Sequence, residues 1–445
     1  MPVIGIGLLG LGLFYLAWKF YSSYLADKVY QLDPDFKTPA HEFEDGVDYV
    51  PTRKEILLAH HFVSVAGAAP IVGPAIAMIW GWVPAFIWIV VGTIFASGAH
   101  DFGSIWVSSR HRGRSMGDLA AGLISSRARV LFLIVIYLLV LMVNAVFAIV
   151  IAYLFRAYPT AVIPVFAEIP LAIGLGFLFY KVKGGGILLP SIGALAVMYT
   201  LVYLSGTLGW EVTLPALSLF GAVGDKMTAA PTWILVLLVY GYIATLLPVW
   251  VLLQPRDYIN GHQLYLGLAV ILLAVFIGTI AHSDGLPIRA PAVDFSPEGA
   301  PLIIPFLFVT IACGAISGFH SVVSSGTTSK QLDTEPDARP VGYLGSLGEG
   351  MLALTAVMAC SAGFASMDLW QEHYASWGAA GGLGAKVSAY VEGIGYFLNV
   401  GLGISTTIGA TFAAVVVVSF AATTMDTGLR LQKYVTAEFG DLLNL

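Results

Sequence analysis

The chain has 445 residues, of which 58% are hydrophobic and only 11% are charged, whereas a soluble domain usually carries about 25% charged residues. So few charged side chains cannot cover a water-soluble globule of this size, which excludes a soluble enzyme and a disordered chain. The 21 Lys and Arg residues against 27 Asp and Glu residues give a net charge of −6, so no basic surface is available to bind nucleic acid. The composition indicates a polytopic membrane protein.

Eleven apolar runs are long enough to cross a bilayer, which takes about 20 mostly apolar residues. In chain order they cover residues 3–20, 56–79, 83–107, 129–154, 160–180, 186–206, 232–253, 263–282, 301–323, 344–366 and 403–427. No basic residue precedes the first run, so we expect a retained anchor with its N-terminus outside rather than a cleaved signal peptide.

The basic residues test this count of spans. With the N-terminus outside, 17 of the 21 Lys and Arg residues fall in the predicted cytoplasmic connections and 4 in the outer ones, as the positive-inside rule requires. A twelfth span at 386–400 would move Arg430 and Lys433 outside. We therefore predict that 386–400 is an amphipathic segment at the outer surface, and that residues 428–445 form a cytoplasmic tail.

The spans divide into an anchor and two sets of five. Residues 1–55 hold the anchor and a cytoplasmic loop, residues 56–206 hold the first set, and residues 232–427 hold the second. Because five is odd, the two sets run in opposite directions, which is typical of inverted-repeat transporters. This symmetry is predicted from the number and direction of the helices alone.

The first span of each set contains helix-breaking residues. Residues 66–74, AGAAPIVGP, place two glycines and two prolines in the middle of the first span. Pro248 interrupts the first span of the second set. Each proline removes a backbone donor, so we expect broken helices whose free peptide groups line a polar cavity, with a proline kink as the alternative at both places.

A third irregular stretch, residues 313–330, is rich in glycine, serine and threonine. Close helix packing through small residues explains Gly314 and Gly318. It does not explain His320 or the density of hydroxyl groups from Ser317 to Thr328.

Several of these stretches resemble one transporter family. They are DGVDYVPTRKEILLAHHF, AGAAPIVGP, HDFGSIWVSSRHRGRSMGDL, LPVWVLLQPRDY, ACGAISGFHSVVSSGTTSKQL and TTMDTGLRLQKY. Together they resemble the carbon starvation protein A family, of the amino acid–polyamine–organocation group, from about residue 46 to residue 434. The sequence departs from the family pattern at Leu57-Leu58-Ala59, before the histidine pair, and many members carry further spans beyond the position of Arg430.

The resemblance implies an all-α transporter of the bacterial cytoplasmic membrane with a leucine-transporter-type fold. It implies import of peptides or pyruvate, in the carbon-starvation response, by ion symport. The expected partners are therefore the small-molecule substrate and the lipid bilayer. The oligomeric state is not predicted.

The substrate is expected at the helix breaks, where exposed amides and the positive end of a half-helix bind a carboxylate. The candidate residues are Gly67, Ala68, Ala69, Pro70, Gly73 and Pro74 in the first break, and Tyr240, Tyr242, Pro248 and Trp250 on the second broken helix. Asn144 is a lone amide in its span. It is expected to reach the substrate or to form an interhelical hydrogen bond.

Ionisable residues inside spans are costly and therefore point to ion coupling. The candidates for a proton relay are His60, His61, Asp101, His320 and Asp426. Structural ion pairs of Asp101 with the SSRHRGR loop, and of Asp426 with Arg430, are the alternatives. A metal site of His61, Asp101 and His320 is a further alternative.

A sodium ion is the other candidate for coupling. Hydroxyl groups one helical turn apart, together with carbonyl groups freed at the first break, would form an oxygen cage for it. The residues are Ser317, Ser321, Ser324 and Ser325, with Val65 and Ala66.

The predicted function is secondary active transport by alternating access, without catalysis and with no cofactor beyond a bound Na⁺ or a coupling proton. The chain lacks a Walker motif, so ATP-driven pumping is not expected. A membrane nutrient sensor is the main alternative, and a metal-dependent intramembrane enzyme is the second.

Overall fold

A computed structural model describes residues 2–181, 186, 188–215, 230–281 and 285–443. In these ranges the regular structure is helical, apart from two isolated β-bridges. The first eight helices are α1 (Ile4–Tyr30), α2 (Lys54–Val65), α3 (Ala69–Trp80), α4 (Trp82–Arg110), α5 (Ser126–Ala157), α6 (Val162–Lys181), α7 (Leu188–Leu208) and α8 (Ala230–Leu246). The remaining long helices and half-helices are α9 (Leu253–Ala281), α10 (Ile303–Thr310), α11 (Ala312–Ala315), α12 (Gly318–Val323), α13 (Glu335–Ala362), α14 (Leu383–Leu402) and α15 (Thr406–Leu443).

Shorter helices lie in the connections. They are Pro39–Glu42, Met116–Leu123, Ser329–Gln331, Met367–His373 and Trp377–Ala380.

Eight helices in the described ranges are long and apolar enough to cross a membrane, or nine if the bent pair α2 and α3 is one span. They are α1, α4, α5, α6, α7, α9, α13 and α15. The other two predicted spans correspond to α8, an apolar helix of 17 residues, and to the interrupted stretch α10 to α12. The chain is therefore an all-helical, multi-span protein.

Pro248 does not break a helix within a span, which corrects one prediction. α8 ends at Leu246, residues 247–252 form a turn, and α9 begins at Leu253. Proline lacks an amide hydrogen and disfavours helical conformation in the residue before it, so the helix ends at this point. The predicted span 232–253 is thus α8 with its turn, and the following helix begins ten residues earlier than predicted.

The connections meet at two opposite ends of the bundle. At one end, Arg110 pairs with Glu335 and Arg430 pairs with Asp48. A backbone bridge joins Thr52 to Leu332 there. We call this end, where most of the predicted cytoplasmic connections lie, the basic end.

A turn at the basic end is held by Asp45. Its carboxylate accepts hydrogen bonds from the amides of Val47, Asp48 and Tyr49, at 2.8–2.9 Å. Partial burial raises the pKa of Asp45, but these amides outweigh it and hold the pKa below its usual value. The turn therefore keeps its charge at neutral pH and presents Asp48 to Arg430.

The predicted outer connections meet at the other end. Pro2 bridges Pro287, the amide of Trp82 donates to Pro291, and Arg289 donates to the carbonyl of Phe364. The distribution of Lys and Arg residues divided the connections into a cytoplasmic and an outer group, and the structure brings the members of each group together at one end.

The segment predicted as amphipathic, 386–400, lies in α14 at the end opposite the basic one. Gly384 packs on Tyr153 near the end of α5, and Gly401 packs on Ala274 near the end of α9. Between them, Gly393 touches the backbone of Gly363 just after α13. α14 thus packs on three long helices, and nine of its residues between Val387 and Leu398 are buried.

Candidate functional site

The first interruption separates α2 from α3. α2 ends at Val65, Ala66 has the non-helical angles φ −82° and ψ 56°, and the axis of α3 is bent by 44° from that of α2. Gly67 adds backbone freedom, and Pro70 has no amide hydrogen to donate back across the gap. The amides of Ile71 and Val72 both donate to the carbonyl of Ala68, so the amides of Ala68 and Ala69 are the ones left without a backbone acceptor.

The second interruption lies between α11 and α12 and involves no proline. Ile316 (φ −162°, ψ 124°) and Ser317 (φ −127°, ψ 125°) are extended, and α12 begins at Gly318. Two half-helices therefore meet near the middle of the stretch 303–331. The sequence predicted this stretch to be irregular but did not place a break at these two residues.

The two interrupted stretches pack directly against each other. A Cβ atom added to Gly73 in α3 would lie 2.3 Å from the carbonyl oxygen of Thr310, and one added to Gly314 would lie 3.6 Å from Cα of Pro70. The partner of the first break is thus 303–331 and not the region of Pro248. Gly73 lies at a contact between two backbones, not at an open cavity.

This contact gives a prediction for Gly73. Gly73→Ala is expected to push the two stretches apart and to destabilise the protein by about 1–3 kcal/mol, because the obstructing atom is a backbone oxygen. The measurement is the thermal unfolding midpoint of the purified protein in detergent. Gly318→Ala is the matched control, since nothing lies within 4 Å of a Cβ atom there. Equal midpoints for the two variants would contradict the contact.

A buried ionisable cluster surrounds His320, one turn after the second interruption. Its Nδ1 lies 2.9 Å from Oδ2 of Asp101, and its Nε2 lies 3.3 Å from Oε2 of Glu349. Ser346 donates a hydrogen bond to Asp101, and Sγ of Cys313 lies 3.6 Å from Oε1 of Glu349. We call these five residues the His320 cluster. It joins α4, α11, α12 and α13.

A second cluster lies beside α2. Nδ1 of His60 lies 2.5 Å from Oδ2 of Asp257 in α9, and both side chains are wholly buried. Nε2 of His60 lies 3.2 Å from Oγ1 of Thr327, while Nδ1 of His61 lies 3.1 Å from Oγ1 of Thr328. Consecutive histidines diverge by about 100° on a helix. Here they contact consecutive threonines.

The third cluster is centred on Arg256, which is only 1% exposed. Its Nε donates to Glu168 at 3.0 Å, and its Nη1 donates to Asp426 at 2.5 Å and to Tyr240 at 2.7 Å. Tyr240 also donates to Asp426 at 2.9 Å. One buried cation is thus held between two buried carboxylates, an arrangement that is costly unless all three are present.

The predicted substrate residues separate into two groups. Gly67 and Ala68 lie at the first interruption, whereas Ala69, Pro70, Gly73 and Pro74, which were predicted in the break, lie in the regular helix α3. Tyr240 lies in the Arg256 cluster. Tyr242 is 67% exposed on the outside of the bundle, and Pro248 and Trp250 lie in the turn between α8 and α9. The structure does not bring these three to the interruptions, because α8 ends before Pro248.

Asn144 in α5 lies close to the first interruption. It packs on Gly428 of α15, and neither atom of its buried amide group has a hydrogen-bond partner. The expected interhelical hydrogen bond is therefore not formed. Phe147, one turn further on the same face, touches Gly67. Asn144 thus presents an unpaired amide beside the break.

The predicted ion-pair alternatives do not form. Asp101 bonds to His320, while Arg110 of the SSRHRGR loop pairs with Glu335. Asp426 pairs with Arg256, while Arg430 pairs with Asp48. The carboxylates of Asp101 and Asp426 therefore pair with residues inside the bundle and not with arginines of the connections.

The predicted hydroxyl residues largely bond to their own helical turns. Ser321 donates to the carbonyl of Gly318, Ser325 donates to that of Ser321, and the buried hydroxyl of Ser324 has no hydrogen-bond partner. Ser317 lies in the second interruption itself.

The hydroxyl groups that reach the last turn of α2 come from α15. Thr424 donates to the carbonyl of Val63 at 3.1 Å, and Thr427 contacts Ser64 at 3.0 Å. The sodium cage that includes the carbonyls of Val65 and Ala66 stays a prediction. The hydroxyl groups of α15 lie closer to this turn than the predicted serines do, and they are the better source of its other oxygen atoms.

Sequence reasoning missed three buried participants, Glu168, Arg256 and Asp257, and the half-buried Cys313. Arg256 falls between two predicted spans, 232–253 and 263–282, and Cys313 lies within the predicted span 301–323. The signal for Glu168 was available, because a carboxylate in the middle of an apolar span is costly without a partner. Its partner Arg256 lies 88 residues away in the chain, and Asp426 lies 170 residues beyond Arg256, so only the fold shows that the three meet.

Comparison with known proteins identifies relatives over most of this structure. A family profile described as carbon starvation protein CstA matches residues 3–395. The peptide transporter CstA of Escherichia coli (strain K12) is 38% identical over 351 residues, which is 78% of this chain and 48% of that protein. The pyruvate/proton symporter BtsT of the same strain is 34% identical over 349 residues, 78% of this chain and 47% of that protein.

A more distant source gives the same result. The peptide transporter CstA of Bacillus subtilis (strain 168) is 33% identical over 352 residues, 78% of this chain and 56% of that protein. The chain spans about half the length of the curated relatives it matches. No solved structure matches.

Proposed function

Because the chain belongs to the carbon starvation protein CstA family, as its sequence motifs predicted, we propose that it is a secondary active transporter for small carboxylate-bearing nutrients. The proposed substrates are peptides or pyruvate, as the names of the relatives indicate. Movement of the substrate would be coupled to a cation by alternating access. The proposed membrane is the bacterial cytoplasmic membrane, with the basic end on the cytoplasmic side.

The observation that carries this proposal is the contact between two interrupted stretches, α2–α3 and α10–α12. Backbone that leaves helical geometry at mid-span is stable only where it is enclosed by protein or lines a wet cavity, and transporters place their substrate sites there. The two stretches run in opposite directions along the bundle, since Gly314 meets Pro70 while Thr310 meets Gly73. An inverted repeat built on this pair, in place of the predicted pair with Pro248, is part of the proposal.

The proposed carboxylate site is the start of α3. The first amides of a helix lack intrahelical acceptors and lie at the positive end of the helix dipole, so they bind anions. Asn144 supplies a nearby amide that has no other partner. Both a peptide and pyruvate offer the carboxylate that this site requires.

The proposed coupling group is the pair of His60 and Asp257. The two side chains are wholly buried and joined at 2.5 Å, so a proton added to or removed from the pair changes a charge in a low-dielectric setting. A cavity of about 750 Å³ is lined by Ala59 and Tyr258, each adjacent in sequence to one member of the pair. Arg53 and Glu55 also line this cavity, and we propose that protons reach the pair through it from the basic end.

Sodium coupling is the second candidate, supported by the hydroxyl groups of Thr424 and Thr427 at the last turn of α2. Carbonyl and hydroxyl oxygens are the ligands that hard cations prefer. The two candidates use different residues and are therefore separable by experiment.

The test is uptake by purified protein in liposomes. Labelled pyruvate and a labelled dipeptide are supplied with an imposed pH gradient, with an imposed Na⁺ gradient, or with neither. We expect accumulation of at least one substrate in the pH gradient, and none in liposomes without protein. Saturable binding of these substrates without accumulation under any gradient would overturn transport.

A further inference from the structure

Three potential metal ligands lie together at the second interruption. The thiol of Cys313, the imidazole of His320 and a carboxylate oxygen of Glu349 all lie within 4.8 Å of one another. Cys313 precedes the extended residues Ile316 and Ser317, His320 follows them, and Glu349 comes from α13. Thiolate, imidazole and carboxylate are the three ligand types that bind Zn²⁺ in proteins.

The orientation of His320 is that of a metal ligand. Its Nδ1 faces Oδ2 of Asp101 at 2.9 Å, so an Nδ1–H donates to that carboxylate and Nε2 points the other way. Nε2 is buried, has no hydrogen-bond partner, and lies 3.3 Å from Oε2 of Glu349. In the neutral ring the Nε2 lone pair faces that carboxylate oxygen, and either a second proton or a metal ion between the two atoms removes the repulsion. The carboxylate on Nδ1 is the usual outer partner of a zinc-bound histidine.

The spacing of the donors also fits. Ligands at about 2.0–2.3 Å from a tetrahedral zinc lie roughly 3.3–3.8 Å from one another. Nε2 of His320 and Oε2 of Glu349 are 3.3 Å apart, and Sγ of Cys313 and Oε1 of Glu349 are 3.6 Å apart. The third pair, Sγ of Cys313 and Nε2 of His320, lies within 4.8 Å, so these two side chains approach each other when the site closes.

We propose that Cys313, His320 and Glu349 bind a zinc ion that ties the two half-helices of the second interruption to α13. Asp101 orients His320 and is not a ligand, which changes the set expected from the sequence. His61 is not part of the site, because its Nδ1 bonds to Thr328. Three protein ligands leave one position for water, and binding releases the Cys313 proton to solvent.

The experiment uses the full chain, purified without a histidine tag, stripped with a chelator and then loaded with Zn²⁺ or Co²⁺. We expect about one zinc per chain after desalting, measured by mass spectrometry. The Co²⁺ form is expected to show a thiolate-to-cobalt charge-transfer band. This band should disappear in Cys313→Ser and persist in Cys360→Ser. Cys360 is the matched control, since it is buried in the apolar core and belongs to no cluster of three metal ligands among the described residues.

Two further variants separate ligation from folding. Glu349→Gln is expected to lose the zinc, while Asp101→Asn keeps all three ligands and is expected to bind zinc about 10–100-fold more weakly. The elution profile in detergent reports whether each variant is folded. Zinc content of the unaltered chain no higher than that of folded Cys313→Ser would overturn the site. The test does not depend on transport, so its failure and that of the proposed function are distinguishable.

Discussion

Replacing Arg256 with methionine is expected to destabilise the protein by about 3–5 kcal/mol. The variant leaves the carboxylates of Glu168 and Asp426 buried without their cation, and neither group has access to water. The loss should appear as a large fall in the thermal unfolding midpoint and in the fraction of monodisperse protein. This is the largest effect of a single substitution that the structure predicts.

The matched controls for this prediction distinguish charge from packing. Arg256→Met combined with Glu168→Gln and Asp426→Asn removes every charge of the cluster and is expected to regain most of the lost stability. Arg53→Met removes an exposed arginine whose Nε lies 3.5 Å from Glu55 and should cost at most about 1 kcal/mol. If the triple variant is less stable than Arg256→Met alone, the electrostatic explanation is wrong.

Asp257→Asn is expected to abolish accumulation against a gradient while leaving exchange of substrate across the membrane intact. The amide cannot hold the charge that balances a proton on His60, so substrate movement is no longer linked to proton movement. The accumulation ratio in a pH gradient should therefore fall to about 1, because no coupling free energy remains. Counterflow of labelled substrate, measured in the same liposomes, should persist.

A second histidine–aspartate pair provides the control for this prediction. His41 and Asp333 are joined at 2.7 Å, but their side chains are 42% and 43% exposed, so Asp333→Asn should not alter accumulation. If Asp257→Asn accumulates substrate as fully as the unaltered protein, the pair of His60 and Asp257 does not couple transport to protons. If the unaltered protein accumulates substrate in a Na⁺ gradient alone, the coupling ion is sodium and its candidate ligands are Thr424 and Thr427.

The sequence predicted the features that arise locally. Pro70 and the glycines around it end α2 through their own backbone chemistry, so the first break was visible in the residues. The distribution of Lys and Arg separated the connections into the two groups that meet in the fold. The family was also recognisable, because its motifs are long and ordered.

Features that depend on contacts between distant residues were not predictable. No proline marks the break at Ile316 and Ser317, where His320 is held by Asp101 from α4. Pro248 looked equivalent to Pro70 in sequence, yet it ends α8 at a turn. Arg256 looked like a loop residue until Glu168 and Asp426, from two other helices, surrounded it.

The way α14 crosses its neighbours determines which motion that end of the bundle permits. Nine residues between Val387 and Leu398 are buried, and the side chains of Tyr390 and Phe397 are wholly enclosed by the core. Glycines also bring the backbone of α14 against its neighbours, as at Gly401 on Ala274. Interlocked side chains resist sliding, because each must leave its own hole before the helix can advance. α14 and the helix ends beneath it therefore form a rigid cap, and opening at this end requires the cap to shift as a unit.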